Sequence, residues 1–312
     1  MLDIIGKRKW YFLLSALVII PGLVAIGISF ARYGAPVRLG IDFTSGSLLE
    51  VRFDRAVMPG DVRAVVEGQG VADPRVQTVG DGQTVVIRSR TIEAEAKLAV
   101  EAALEQRFGS LTELRFETVG PSVGREVTRA AVAAVTVAAL AILAYIVMAF
   151  RKVPNAFRYG VCALAAMLHD ILVSVGLFSL MGLLAGWEAD ALFLTALLTV
   201  IGFSVQDTIV VFDRIRENVP KRRGEPYELI VNRSLLETLH RSLATQLNAM
   251  FVLIAILFFG GATIKQFVAV MLVGMLSGSY SSIFNAVPLL VVWEKDEVGR
   301  FFRQLRRQPA MQ

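Results

Sequence analysis

Cysteine and histidine are scarce in this chain of 312 residues, which contains one cysteine and two histidines. The cysteine, Cys162, has no second thiol with which to form an internal disulfide. The segment from 31 to 127 contains neither residue type, which excludes a metal site or a nucleophile built from them there. The chain also lacks a glycine-rich phosphate loop and a nucleophile constellation, so we predict that the protein is not an enzyme and binds no metal.

Long apolar segments are abundant in the sequence. Hydrophobic residues make up 55% of the chain, and its mean hydropathy is +0.59. They are concentrated in blocks of about 20 residues, the length with which a helix crosses the hydrocarbon layer. The first block is too long for a signal peptide and lacks a cleavage pattern, so we interpret it as a retained span. The six blocks are 10–30, 128–150, 159–184, 190–212, 242–260 and 266–293.

Positive charge alternates between the short segments that join these blocks. Basic residues precede the first block, follow the sixth, and occupy the second–third and fourth–fifth connections. By the positive-inside rule, both termini of a multi-pass membrane protein are predicted to be cytoplasmic. The net charge of +5 then indicates contact with anionic lipid headgroups and no nucleic-acid partner. The predicted divisions are 1–30 (terminus and first span), 31–127 (extracytoplasmic domain), 128–293 (spans two to six) and 294–312 (basic tail).

The extracytoplasmic segment has the pattern of a small α+β domain. Residues 47–53 alternate like a strand, and a short helix is predicted from Pro59 to Glu67. A hairpin is predicted around Asp81-Gly82, and a second helix ends at Gly109 before a last strand. The order is β-α-β-β-α-β, which predicts a ferredoxin-like domain between the first and second of six transmembrane helices.

An acidic residue within the fourth apolar block is the main candidate for a functional site. Asp207 lies between Gln206 and Thr208, and an ionisable group in hydrocarbon costs several kcal/mol unless it has a partner or a function. The best-placed partner in sequence is Arg241, and such a pair suggests proton handling. A static polar contact between helices is the alternative. The weaker candidates for the proton path are Asp170, Gln206, Thr208, Thr245 and Asn248, of which Asp170 is a second relay carboxyl or a structural hydrogen-bond partner. Gln246 lies with Thr245 and Asn248 in the fifth block, and together they could line a polar path.

The sixth block contains small residues at a spacing that favours close helix contact. Gly274 and Gly278 form a G-x-x-x-G pattern, and Ser281 comes three residues later. We predict packing against other helices of the bundle or against a partner subunit.

Several motifs occur together and in order along the chain. They are 40–46 (GIDFTSG), 119–124 (VGPSVG), 168–170 (LHD), 201–208 (IGFSVQDT), 238–241 (TLHR) and 278–284 (GSYSSIF). In this order and spacing the chain resembles the SecF family, membrane subunits of the bacterial SecDF protein-export complex. That family is similar in architecture to half of a transporter of the RND superfamily.

The resemblance implies a multi-pass protein of the bacterial inner membrane with a function in the late stages of Sec-dependent protein export, driven by the proton-motive force. It implies a SecD-like subunit, the SecYEG channel and unfolded preprotein on the outer face as partners, protons as the coupling ion, and no cofactor. It places the family's essential Asp–Arg pair at Asp207 and Arg241. Half of an RND-type small-molecule exporter and a passive scaffold for the translocon remain the alternatives.

The chain departs from the family pattern at several positions. Ser45 replaces a glycine, which matters only if its φ must be positive. Phe203 and Gln206 stand where tyrosine and asparagine are common, and the run of hydroxyl residues after the arginine becomes 245–249 (TQLNA). These changes put the hydrogen bonding of the implied proton path in question.

Overall fold

The structure is a computed structural model that describes residues 3–79, 82–151, 155–222 and 224–295. The chain divides into two compact units, one formed by Met1–Arg38 with Ala134–Gln312 and the other by Leu39–Ala133. In chain order the helices of the described residues are α1 (Arg8–Tyr33), α2 (Ile41–Thr44), α3 (Pro59–Gly68), α4 (Ala94–Phe108), α5 (Pro121–Ala149), α6 (Ala156–Ala185), α7 (Ala191–Lys221), α8 (Tyr227–Phe259), α9 (Ala262–Ser281) and α10 (Val287–Glu294). The strands are β1 (Gly46–Phe53), β2 (Arg75–Val79), β3 (Thr84–Ser89) and β4 (Leu111–Val119).

Six helical segments of the described residues are long and apolar enough to cross a membrane, which confirms the predicted number of spans. The last of them is composite, because a π-helical turn, Ser282–Ala286, joins α9 to α10. Helix α7 starts at a side-chain cap, where Asp190 accepts a hydrogen bond from the backbone N–H of Phe193 at 2.8 Å.

The basic connection between the fourth and fifth spans is mostly helical. Helix α7 continues to Lys221 and α8 begins at Tyr227, so five residues of sequence separate them. The two helices are linked there by polar contacts: Arg214 pairs with Glu237 at 2.5 Å, and Asn218 donates to both Ser234 and Glu237. The lengths predicted for both helices from their apolar residues were therefore too short, because the polar ends of the helices are stabilised by ion pairs.

The smaller unit has the predicted β-α-β-β-α-β order, and the ferredoxin-like prediction is confirmed. Its four strands form one antiparallel sheet in the order β2-β3-β1-β4. Its core is built where fully buried residues of α3 and α4 meet those of the sheet, as in the cluster of Val62, Val100, Leu104, Leu49 and Val51. Asp81 of the predicted hairpin turn lies outside the described residues, whereas Gly82 has the positive φ of 82° that such turns require.

The motif that opens this unit contains a strained residue. Ser45 caps the C-terminus of helix α2, and its φ of 62° and ψ of 165° lie in a region that is nearly exclusive to glycine. The replacement of the family's glycine by Ser45 therefore matters, because the φ of this residue is positive. A backbone in that region costs a non-glycine residue roughly 1–3 kcal/mol. Gly124 packs against the same turn, since a Cβ there would lie 3.2 Å from the Ser45 nitrogen and 3.3 Å from the Phe43 oxygen.

Small residues bring helices of the larger unit close together. A Cβ on Gly176 of α6 would lie 2.7 Å from the Cα of Gly22 in α1, so these two backbones are in contact. In α9, a Cβ on Gly274 would collide with Val200, and one on Gly278 would lie 3.3 Å from the Cα of Ser204. Gly274 and Gly278 thus approach α7 of the same chain most closely, and α6 is their second neighbour.

Candidate functional site

Asp207 lies in the interior of the helix bundle. Its residue is 6% exposed, and its Oδ2 accepts a hydrogen bond of 2.8 Å from Nε2 of Gln246, which is 4% exposed on the facing α8. The structure therefore gives the carboxyl a neutral amide as its partner. An amide can bond either protonation state of a carboxyl, because it offers both a donor and an acceptor.

Arg241, the predicted partner, lies elsewhere. No ion pair joins it to Asp207 in the described part of the chain, and its side chain is exposed. It lines an open pocket of about 310 Å³ near the junction of α7 and α8, together with Asp213, Glu217 and Glu237. The structure thus places the arginine among acidic side chains at one end of the bundle and the aspartate deeper within it.

Helix geometry explains why the two were not brought together. Arg241 and Gln246 are five residues apart, which is roughly 7.5 Å along α8 and about 140° around it. Arg241, Thr245 and Asn248 are all exposed and share one face of the helix. A different stripe, spaced by four residues, is buried throughout and consists of Ser234, Thr238, Ser242 and Gln246.

The two neighbours of Asp207 differ in their environment. Gln206 is exposed, and Thr208 is fully buried. The hydroxyl of Thr208 lies 2.9 Å from that of Ser282 and donates to the carbonyl oxygen of Ser204 at 3.1 Å. Thr208 therefore joins α7 to the π-helical turn and makes no contact with the Asp207 carboxyl.

Asp170 is the hub of a second polar cluster. It is fully buried, and its Oδ2 accepts hydrogen bonds from Ser204 at 2.5 Å and Ser281 at 2.7 Å. Its Oδ1 accepts from Ser277 at 2.6 Å and lies 3.0 Å from Nδ1 of His169. This carboxyl ties α6 to α7 and α9. Ser281, predicted to serve helix packing, is one of its hydrogen-bond donors.

Sequence reasoning placed Gln246 along a polar path but did not identify it as the partner of Asp207, and it did not assign the serines around Asp170 to that carboxyl. The signal for Gln246 was the four-residue spacing of polar residues in α8, which marks a buried helical face. The signal for the serines was the density of hydroxyl residues from 277 to 282. Among the described residues, no group of three His, Cys, Asp or Glu side chains is placed to hold a metal ion.

These features define a class of protein: a polytopic helical membrane protein with a ferredoxin-like domain after its first span and ionisable residues inside its bundle. Comparison with known families is consistent with that class. The family described as protein export membrane protein SecD/SecF, C-terminal, matches residues 99–296, and the SecD/SecF GG motif matches residues 34–57. The chain belongs to the SecD/SecF family of protein-export membrane proteins.

Individual relatives span nearly the whole chain. The protein translocase subunit SecF of Thermobaculum terrenum is 48% identical, with 99% of each chain covered, and that of Anaerolinea thermophila is 48% identical, with 97% of this chain and 98% of the relative covered. Among solved structures, SecDF of Thermus, described as a translocon-associated membrane protein, is similar with a TM-score of 0.79 at 32% identity. The match covers 94% of this chain and 39% of that one, so the other chain contains a further, larger part.

Proposed function

We propose that the protein is a proton-motive-force-driven accessory subunit of the Sec translocase that assists the late stages of preprotein export. Its relatives carry the name of translocase subunits, and the similar Thermus structure is a SecDF protein in which the matching part is 39% of the chain. A separate SecD-like subunit is therefore the proposed partner, together with SecYEG, membrane lipids and unfolded preprotein on the outer face. Protons are the proposed coupling ion, and no cofactor is required.

The observation that carries this proposal is the isolation of Asp207. A carboxyl held by one hydrogen bond in a low-dielectric interior changes its affinity for protons when a fixed charge approaches or leaves. Arg241 supplies such a charge, because a guanidinium stays protonated and sits on a long flexible stem. A shift of α8 along or around its axis would change the separation between the two groups. Proton binding at Asp207 and helix movement are coupled in this scheme.

The exposed polar face of α8 supports the proposed partner. An arginine and two polar side chains in a membrane helix are costly against lipid. Arg241, Thr245 and Asn248 form such a face, and Arg241 makes no ion pair with the described residues of its own chain. A SecD-like subunit that offers polar side chains at this level would remove the cost.

The test combines two substitutions with three measurements. Asp207→Asn removes the titratable group at constant size, and Arg241→Met removes the charge while keeping the length of the stem. Each should abolish export that depends on the proton-motive force, with membrane insertion and binding of the SecD-like subunit intact and the early ATP-driven stage unaffected. An assembled Asp207→Asn variant with full export activity would leave the passive scaffold as the better function.

Orientation in the membrane is a separate part of the proposal. Tags at residues 1 and 312 are expected in the cytoplasm and the unit around residues 39–133 outside, because the basic connections all lie on one side. In intact spheroplasts, protease should therefore reach the outer unit and spare both tags. Cleavage of either terminal tag would contradict the orientation.

A further inference from the structure

One polar atom of the Gln246 side chain forms a hydrogen bond, and the other does not. Its Nε2 donates to Asp207 Oδ2 at 2.8 Å, whereas its Oε1 is buried and has no hydrogen-bond partner. A buried carbonyl oxygen without a donor costs roughly 1–3 kcal/mol. The residue is 4% exposed, so bulk water does not satisfy that oxygen. An acceptor therefore lies beside a carboxyl with no donor to match it.

Protonation of Asp207 would supply the missing donor. An ionised carboxylate only accepts hydrogen bonds and can use only the N–H of the amide. A neutral carboxylic acid also has an O–H, which can be donated to Oε1 while its other oxygen continues to accept from Nε2. A rotation about the terminal torsion of Gln246, which is soft, aligns the two planar groups. The neutral acid thus forms two hydrogen bonds with the amide where the carboxylate forms one.

We propose that Gln246 is the positioning residue that makes Asp207 a reversible proton site in this chain. In the protonation step, a proton from the aqueous phase forms the O–H bond on Oδ1, and that O–H donates to Gln246 Oε1. In release, the O–H bond breaks, the proton returns to water and the carboxylate keeps the Nε2–H hydrogen bond. The inference rests on the proposed function, because it assumes that Asp207 exchanges protons during export.

Other ionisable groups of the described residues near this level form no hydrogen bond with the Asp207 carboxyl. Helix α6 contributes His169 and Asp170, which are bonded to each other and to serines of α7 and α9. Helix α8 contributes His240 and Arg241, both exposed, and Glu237, which pairs with Arg214. From α9 and the π-helical turn, the side chains in this region are neutral, with Tyr280 donating to the Tyr11 carbonyl at 2.7 Å. Gln246 is the group of the described residues that bonds the Asp207 carboxyl.

The first measurement uses the unaltered side chains. Infrared difference spectra of the full protein in lipid nanodiscs are recorded across pH, with glutamine side-chain carbonyls labelled with ¹³C. The Gln246 carbonyl band should shift with the same midpoint as the carboxyl band of Asp207, and Asp207→Asn should remove both changes. A glutamine band that is indifferent to the titration of Asp207 would overturn the inference.

The second measurement compares two substitutions on α8. Gln246→Met removes both amide atoms at similar length, so the neutral form of Asp207 loses two hydrogen bonds and the ionised form loses one, and the midpoint of the carboxyl band should move to a pH about one unit lower. Leu247→Met, at the next and exposed position of α8, introduces the same side chain and should leave that midpoint unchanged. An equal shift in both variants, or none in Gln246→Met, would refute the role of Gln246.

The two proposals fail in different ways. Failure of the inference leaves the Asp207 titration insensitive to Gln246, while Asp207→Asn still abolishes force-dependent export. Failure of the proposed function is seen as full export by Asp207→Asn, whatever the spectra of Gln246 variants. Thermal unfolding of Gln246→Met in the same nanodiscs establishes that the spectra come from folded protein.

Discussion

Asp170 and Asp207 are two buried carboxyls in neighbouring helices, and they are held in opposite ways. Asp170 accepts hydrogen bonds from three serine hydroxyls and contacts the His169 ring, so each of its two carboxyl oxygens has two partners. Asp207 has one hydrogen bond, from an amide whose own carbonyl is unpartnered. The first carboxyl is saturated and the second is not, although both are at most 6% exposed.

The difference teaches which buried acid is suited to holding the fold and which to carrying a proton. A carboxyl that is bonded to four groups from three helices loses much when its environment changes, so those helices are kept in register. A carboxyl with one neutral partner has fewer hydrogen bonds to break when its protonation state or its surroundings change. The bonding of Asp170 therefore favours the structural alternative for that residue, and the role of Asp207 in proton transfer stays a prediction.

The same substitution at both positions should give unequal losses of stability. In Asp170→Asn, an NH₂ group replaces an oxygen that accepted two hydrogen bonds, so the free energy of unfolding should fall by roughly 2–4 kcal/mol. In Asp207→Asn, the remaining oxygen still accepts from Gln246, so the loss should be about 1 kcal/mol or less. Denaturation in mixed detergent micelles measures both values. Equal losses would break the comparison.

A backbone contact next to Asp170 offers a second comparison. A Cβ on Gly278 would lie 3.3 Å from the Cα of Ser204 and 3.6 Å from Asp170 Oδ2, so Gly278→Ala should push α9 from α7 and cost about 1–3 kcal/mol. Gly202 in α7 is the matched control, because a Cβ there meets nothing within 4 Å. Gly202→Ala should be neutral or stabilising by up to about 1 kcal/mol. A harmless Gly278→Ala would show that the saturated cluster tolerates displacement.

The smallest expected effect comes from single hydroxyls. Ser281→Ala removes a donor to Asp170 at 2.7 Å and should cost about 1–2 kcal/mol. The hydroxyl of Ser242, near Gln246 on the buried face of α8, has no hydrogen-bond partner, so Ser242→Ala should change stability by less than about 0.5 kcal/mol. Thermal unfolding of the two variants in one detergent is the measurement. A costly Ser242→Ala would indicate that the surroundings of Asp207 are as tightly bonded as those of Asp170.

Most of the fold could be predicted because it depends on local patterns. Apolar length marks the membrane helices, and alternation with turn residues marks the strands of the outer unit. The helical ends of α7 and α8 could not be predicted from hydropathy, since contacts such as Arg214–Glu237 depend on how the two helices pack. The four-residue helix α2 was missed as well, because a single turn has no periodicity to detect.

The site was predicted in part. Asp207 is identified by its cost in hydrocarbon, a property of one residue. Its partner depends on which face of α8 is turned towards the interior of the bundle. Arg241 was chosen for its charge, and it lies on the exposed face. Gln246 belongs to the buried face, but a glutamine carries no charge that would distinguish it in a sequence. Which residues of two helices meet depends on how each helix is rotated about its own axis. Composition does not encode that rotation.

The π-helical turn in the last span changes which neighbours its polar residues meet. Ser277, Ser281 and Asn285 are spaced by four residues, and in an unbroken α-helix they would form one stripe. In this chain Ser277 and Ser281 bond Asp170 of α6, whereas Asn285 bonds Ser15 of α1, at 2.8 Å from its amide nitrogen. The turn Ser282–Ala286 lies between α9 and α10, and one extra residue rotates the rest of the span by about 100°. The span therefore behaves as two segments in different rotational phases, so deleting a single residue within 282–286 would misdirect every side chain of α10 at once.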